Sequence, residues 1–380
     1  MIKNKINLSL VTAMMITTCS YAGTVTAPNS IDIKLSGDIE LKAVSEKTDS
    51  EKISKRTAEV NLNLDATLKN GIKVFTTFKA FDGTQGQTTA GAENTDDGFK
   101  TKIAYAVIPL MKGNGKIVAG LTPMITYGTD AFDDGGEAWQ GAVSIPVAKG
   151  VKVTVVSKVL NEEEVDSNKG DSGANAIRVD TKINNIMIGA KYANGYKNKA
   201  DGFTGAEATT ELKSKVFMTY VTGRIAGLNV GFEYARKDIT KVGANAMQQF
   251  KDIQVGYFTS VEKEIGKFTT GLSYLNLSKG MKGGDDFKVG LILDGNIDSS
   301  VTKDTTAFVV PIKYKINDKF TTNITLIKAE VLEESTKEID LGLTYAMDEN
   351  VEMKIETGKY MHKNSTNDQT NMQLAVAIKF

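Results

Sequence analysis

The chain has 380 residues, 41% of them hydrophobic, with 46 basic and 46 acidic side chains and no formal net charge. Balanced charge provides no long-range field to draw in nucleic acid, and a mean hydropathy of -0.20 argues against a bundle of membrane helices. One cysteine and one histidine argue against a disulfide scaffold, a zinc site and Ser-His catalysis, so no catalytic residue, cofactor or metal is assigned.

The first element is a targeting segment. Lys3 and Lys5 precede a mainly apolar run from Ile6 to Ile16, and Ser20-Tyr21-Ala22 forms a small-x-small cleavage site, so residues 1–22 read as a signal peptide. The apolar run is too short to span a bilayer as a helix. A lipid anchor on Cys19 is the alternative reading of the same stretch. Cleavage after Ala22 would remove that cysteine and leave 23–380 as one domain.

From Ile31 onward the chain alternates. Residues 31–43 place apolar side chains on the odd positions, Gly37 excepted, and mostly charged ones on the even positions, a period of two that marks a strand. Val60 to Leu68 and Ile72 to Ala80 repeat the pattern around Asn70-Gly71, a hairpin turn. Further hairpins turn at Gly113-Asn114-Gly115, Lys149-Gly150, Asn184-Asn185, Ala226-Gly227, Glu262 to Gly266, Asn317-Asp318 and Asp348-Glu349-Asn350. The last stretch, Asn371 to Phe380, has Met372, Leu374, Val376, Ile378 and Phe380 on one face and small or polar residues on the other. An aromatic final residue suits a strand that closes a membrane barrel on the first one.

Short turns alternate with polar connections near 44–54, 83–97, 123–139, 161–174, 194–210, 236–249, 278–304, 330–336 and 361–370. With both ends on the short-turn side the strand number must be even, which predicts an all-β, up-and-down antiparallel transmembrane barrel of about 18 strands, with about 16 as the alternative. Phe287 to Leu293 also alternates but would make the total odd, so it is assigned to an external loop. A barrel of this width leaves an aqueous channel that something must narrow. The third connection carries Asp130, Asp133, Asp134 and Glu137 beside Trp139 and is expected to fold inward as an acidic constriction. The polar parity places Lys34, Lys42, Lys73, Lys79, Lys100, Lys102 and Arg178 on the lumen wall as its basic counterpart, which would set up a transverse field. Phe268, Tyr314, Phe320, Tyr345 and Phe380 would form one aromatic girdle, and Tyr192, Tyr234, Tyr274 and Tyr360 the other. His362 reads as a solvated loop residue.

Signal peptide, cysteine-free mature chain, paired strands, acidic third loop and terminal Phe380 together resemble a Gram-negative outer-membrane general porin, most closely the epsilonproteobacterial major outer-membrane porins. The resemblance covers the mature chain and is architectural. It implies an outer-membrane homotrimer seated in lipid and lipopolysaccharide, inserted by the barrel-assembly machinery through its C-terminal strand. It also implies passive diffusion of ions and small hydrophilic solutes, with the acidic loop tipping selectivity weakly towards cations. The arginine cluster of general porins is poorly matched: Arg178 has luminal parity, Arg236 does not, and Arg224 is ambiguous. The competing readings are an exported soluble β-protein and a surface adhesin whose loops matter more than its pore.

Overall fold

The computed structural model describes residues 31–48, 52–88, 91–97, 99–123, 129, 131–132, 137–161, 172–198, 209–243, 249–281, 304–331, 334–363 and 368–380. Its strands are β1 (Asp32–Thr48), β2 (Lys52–Thr67), β3 (Lys73–Thr88), β4 (Gly91–Asp97), β5 (Lys100–Leu110), β6 (Gly115–Pro123) and β7 (Glu137–Ala148). They continue as β8 (Val151–Asn161), β9 (Ser172–Ile183), β10 (Ile186–Asn198), β11 (Thr209–Ile225), β12 (Leu228–Gly243) and β13 (Gln249–Ile265). The last are β14 (Phe268–Leu277), β15 (Thr305–Lys315), β16 (Phe320–Val331), β17 (Glu334–Ala346), β18 (Val351–His362) and β19 (Gln369–Lys379).

Apart from β4, which pairs only with β3 among the described residues, each strand pairs antiparallel with its neighbours around the barrel, and β19 returns to β1, so the barrel closes. β4 pairs with the outer half of β3 and β5 with the inner half, so those two strands share one stave and the barrel has the even 18. β14 pairs directly with β15, which makes 278–304 an excursion between neighbouring staves; Phe287 to Leu293 lies outside the described residues.

The closing seam explains the gap in the first alternation. Gly37 and Phe380 exchange both backbone hydrogen bonds, at 2.8 and 3.0 Å. A Cβ at residue 37 would sit 2.6 Å from the Phe380 ring, so the glycine makes room for the terminal aromatic to cover it. At the same end the tight turns use residues that tolerate left-handed backbone: Asn184 has φ 54° and Gly227 has φ 81°.

The outside of the barrel is the apolar side. Leu35 is 71% exposed, Leu272 53% and Phe268 52%, a distribution that only a lipid surround stabilises. Phe268 stacks near Tyr314 with centroids 4.4 Å apart and Phe320 on Tyr345 at 4.6 Å, forming the aromatic rim on the short-turn side. Tyr274 with Phe308, at 4.6 Å, belongs to the far rim. Tyr360 does not. It is 1% exposed and faces inward, because the outward parity of β18 falls on Met353, Ile355, Thr357, Lys359 and Met361.

Several connections are shorter than their polarity implied. β1 and β2 remain paired out to Lys47 and Lys52, and β16 and β17 out to Val331 and Glu334, where loops 44–54 and 330–336 were expected. Strands of 16 or 17 residues exceed the ~10 that a bilayer requires, so the wall rises above the membrane by ~6 residues, roughly 15 Å at ~40° tilt. Up there both faces meet water. The apolar alternation stops while backbone pairing continues, because every N–H and C=O still needs a partner. The turn expected from Glu262 to Gly266 likewise narrows to Gly266 and Lys267, since β13 runs to Ile265.

Candidate functional site

The lumen has two unlike walls. On β1 to β5 the inward side carries a charged cluster whose members are bonded to each other. Glu59 receives Lys79 Nζ at 3.1 Å and Lys102 Nζ at 3.2 Å. Asn61, two residues on, donates to Glu59 at 2.8 Å and to Asp38 on β1 at 3.0 Å. A bulge between Val60 and Asn61 on the β2–β3 pair, and another at Thr77 and Phe78 on the β3–β5 pair, shift the register where these side chains converge. The cluster joins four staves into one hydrogen-bonded unit whose lysine side chains remain partly exposed, at 13% and 31%.

Arg178 stands elsewhere, on β9. Its Nε lies 2.8 Å from Asp180, and the Tyr220 hydroxyl donates to the same carboxylate at 2.9 Å from β11. Asp180 is 3% exposed and Arg178 17%, so the guanidinium is neutralised on the wall.

The inner face of β11 to β18 carries an apolar cluster instead, set among buried Glu233, Glu338 and Asp340. Met218, Tyr220, Ala235, Phe258, Leu275, Leu277, Ala307, Ile327, Ala329 and Tyr360 are all buried there despite their luminal parity. They are covered by residues from connections: Met281 after β14, and Ala131 and Phe132 from between β6 and β7. Phe132 sits on Gly256, where a Cβ would meet its ring at 2.5 Å. Just before it, Thr129 donates its N–H and its hydroxyl to Glu233 Oε2 on β12, at 2.6 and 2.7 Å. Glu233 is fully buried.

The residues singled out from sequence are thus dispersed. Lys79 and Lys102 meet on Glu59; Lys100 stands opposite Lys79 in register; Lys34 lies opposite Asp65, and Lys42 opposite Thr57. Lys73 is at the short-turn end of β3, apart from the cluster. Glu137 opens β7 opposite Pro123, and Asp130, Asp133 and Asp134 lie outside the described residues. Arg236 points outward, where it pairs with Asp238 at 2.8 Å. His362 is not solvated: it ends β18 with 19% side-chain exposure, edge-on to Tyr360 and 3.5 Å from Glu334. Glu59, Asp180, Glu233 and the covering residues Thr129, Ala131 and Phe132 went unread. Charged residues on the luminal parity of β2, β9 and β12 were the signal for the first three.

A closed antiparallel barrel of 18 staves, apolar outside and charged on its inner wall, is the fold of the outer-membrane porins. No family model matches the sequence, and no curated protein matches it. Solved structures do. Pseudomonas aeruginosa OccK2 (OpdF) in complex with glucuronate superposes with a TM-score of 0.60 at 10% identity, over 92% of this chain and 98% of that one. Pseudomonas aeruginosa OpdL gives 0.60 at 10% identity over 92% and 99%, and OpdQ 0.57 at 12% identity over 92% and 99%. At such identities the likeness is one of fold.

Proposed function

We propose that the protein is an outer-membrane channel for passive diffusion of ions and small hydrophilic solutes, with weak cation preference. The observation that carries this reading is the inside-out barrel: exposed apolar residues outside, and within it a wall of Asp38, Glu59, Asn61, Lys79 and Lys102 that only water and polar solutes match. The connection between β6 and β7 folds inward and narrows the lumen, with Asp130, Asp133, Asp134 and Glu137 as its acidic face. The support is the contact of Thr129 with Glu233 and of Phe132 with Gly256, far from the staves that the connection joins. Because that connection and Met281 cover the β11 to β18 wall, the open path runs along β1 to β5. Pairing of Lys79, Lys102 and Arg178 with wall carboxylates leaves the acidic connection less opposed, which favours cations modestly.

Residues 1–22 act as the cleaved signal peptide, the assembly is a homotrimer in lipid and lipopolysaccharide, and the seam at Phe380 follows recognition of the last strand by the assembly machinery. Glucuronate bound to OccK2, a barrel of the same fold, supports small hydrophilic solutes as the cargo class. The test is single-channel recording of mature protein in a planar bilayer under a salt gradient. Stepwise conductance in groups of three with a reversal potential on the cation side is the expected result. Folded protein that gives no steps overturns the reading.

A further inference from the structure

We infer a subsite for a neutral pyranose ring on the inner wall, in a bay at Gly120 between Tyr105 and Gln140. The inference rests on the channel reading and names a solute class for it. One registered row crosses five strands here: Asp65 on β2, Phe75 on β3, Tyr105 on β5, Gly120 on β6 and Gln140 on β7. Its parity is luminal, since Val118 and Ala142, two positions along β6 and β7, belong to a buried cluster while Val143 faces outward at 41% exposure. The Phe75 and Tyr105 rings stack with centroids 4.9 Å apart, the spacing of neighbouring strands, so they stand side by side and Tyr105 turns its free face towards β6.

Backbone conformation keeps the space beside that face open. At φ 131° a Cβ on residue 120 would overlap the Ala104 carbonyl and lie 2.7 Å from the Tyr105 Cα, so only glycine fits. On the far side Gln140, 5% exposed, donates Nε2 to Thr122 Oγ1 and to the Pro123 carbonyl, the latter at 2.9 Å. That fixes the amide and leaves Oε1 as an acceptor with no hydrogen-bond partner among the described residues. The Tyr105 hydroxyl, on a half-buried side chain, has none among them either. Val107 and Val118 supply an apolar margin on the short-turn side.

The chemistry of the bay selects its occupant. None of its members is charged, and the charges towards the ends of the row, Asp65 beyond Phe75 and Lys158 beyond Gln140, are opposite in sign. An ammonium or a carboxylate held here would be desolvated without a counter-ion. A flat apolar solute would leave Gln140 Oε1 unsatisfied. A pyranose meets both demands: the C–H bonds of one face lie on the Tyr105 ring, and hydroxyls around its edge donate to Oε1 and exchange hydrogen bonds with the Tyr105 hydroxyl. The bay also stands at the root of the β6 to β7 connection, the segment proposed to narrow the lumen, so a passing solute comes within reach of it.

The test uses the full mature barrel folded in detergent, with saturation-transfer NMR titration of solutes. The probes are methyl glucopyranoside, the open-chain polyol sorbitol, and choline as an organic cation. The inference expects the glucoside to bind at least about fivefold more tightly than either other probe. Tyr105→Leu, which keeps apolar bulk against Val107 and Val118, should lose about tenfold of that binding. Gln140→Met should lose about threefold, a second reading that does not depend on the ring, and Tyr192→Ala on the outer surface keeps it. Equal binding of sorbitol or choline, or undiminished glucoside binding by folded Tyr105→Leu or Gln140→Met protein, overturns the inference. Channel recording of the wild-type preparation separates the failures: steps without selective glucoside binding refute the subsite alone, and folded protein without steps refutes the channel reading on which it stands.

Discussion

The β1 to β5 wall and the β11 to β18 wall face the same lumen, yet a charged cluster on the first is partly exposed while an apolar cluster on the second is buried under connections. On the first, Glu59 serves two lysines and an asparagine, and the tips of Lys79 and Lys102 remain reachable. On the second, Phe132, Ala131 and Met281 seal Met218, Leu275 and Ile327 from water. Luminal parity alone therefore does not define a water-lined pore. What a wall faces depends on which connection returns to cover it.

The comparison breaks first at the seam, which belongs to the charged wall. Gly37→Val places side-chain atoms where the Phe380 ring and the Asn61 carbonyl lie, and in the absence of an alternative the last strand cannot close. The expected outcome is loss of most of the folded, heat-modifiable species on electrophoresis.

Next in size is the cover. Phe132→Ala should cost about 3 kcal/mol of stability from lost burial and raise single-channel conductance, as the connection loses its seat on Gly256. Denaturant unfolding and bilayer recording check the two halves. Conductance unchanged at normal folding yield would mean that the apolar wall is not what narrows the lumen.

Glu59→Gln sharpens the contrast from the other side, since it leaves Lys79 and Lys102 without their carboxylate. Losing one charge about 8 Å away in watery surroundings shifts a cation and an anion by about 0.5 kcal/mol each in opposite directions, so the cation-to-anion permeability ratio should fall roughly sixfold. Reversal potentials measure it. The same exchange at Glu233, under the cover, should move the ratio far less.

The smallest effect lies outside both walls. Lys315 Nζ, 2.8 Å from Asp318 in a short turn, holds that carboxyl below its ordinary range. Its contribution to stability is present above the unfolded pKa and is lost as pH falls through the lower, folded one. Because the carboxylate is fully exposed, the shift should be visible in an NMR titration of Asp318 and barely in the unfolding midpoint.

The architecture was legible because period-two alternation persists wherever one face meets lipid. Ile31 to Ala43 and Met372 to Phe380 declared the barrel and its seam, the alternation of short turns with long connections its even count, and even the missing apolar residue at Gly37 proved to be the imprint of Phe380. Above the membrane the signal vanished, since Lys47, Lys52 and Glu334 sit in strands that lipid no longer patterns. Lumen chemistry was only half legible. Parity marked Lys79, Lys102 and Arg178 as inward, but which carboxylates they meet depends on bulges and on register between staves, and sequence spacing does not encode either. The cover was harder still: Thr129 and Glu233 are 104 residues apart, and only Phe132, an aromatic within an acidic, glycine-rich connection, hinted at it.

The most direct measurement of the two-wall account is paired cysteine modification in reconstituted channels, made clean because Cys19, in the proposed signal peptide, is the sole native cysteine. Lys79→Cys and Ile327→Cys channels would be exposed to a charged, water-soluble thiol reagent during recording. The account predicts a prompt change in current at residue 79 and none at residue 327. A prompt change at residue 327 with none at residue 79 would contradict it, placing the open path on the apolar wall.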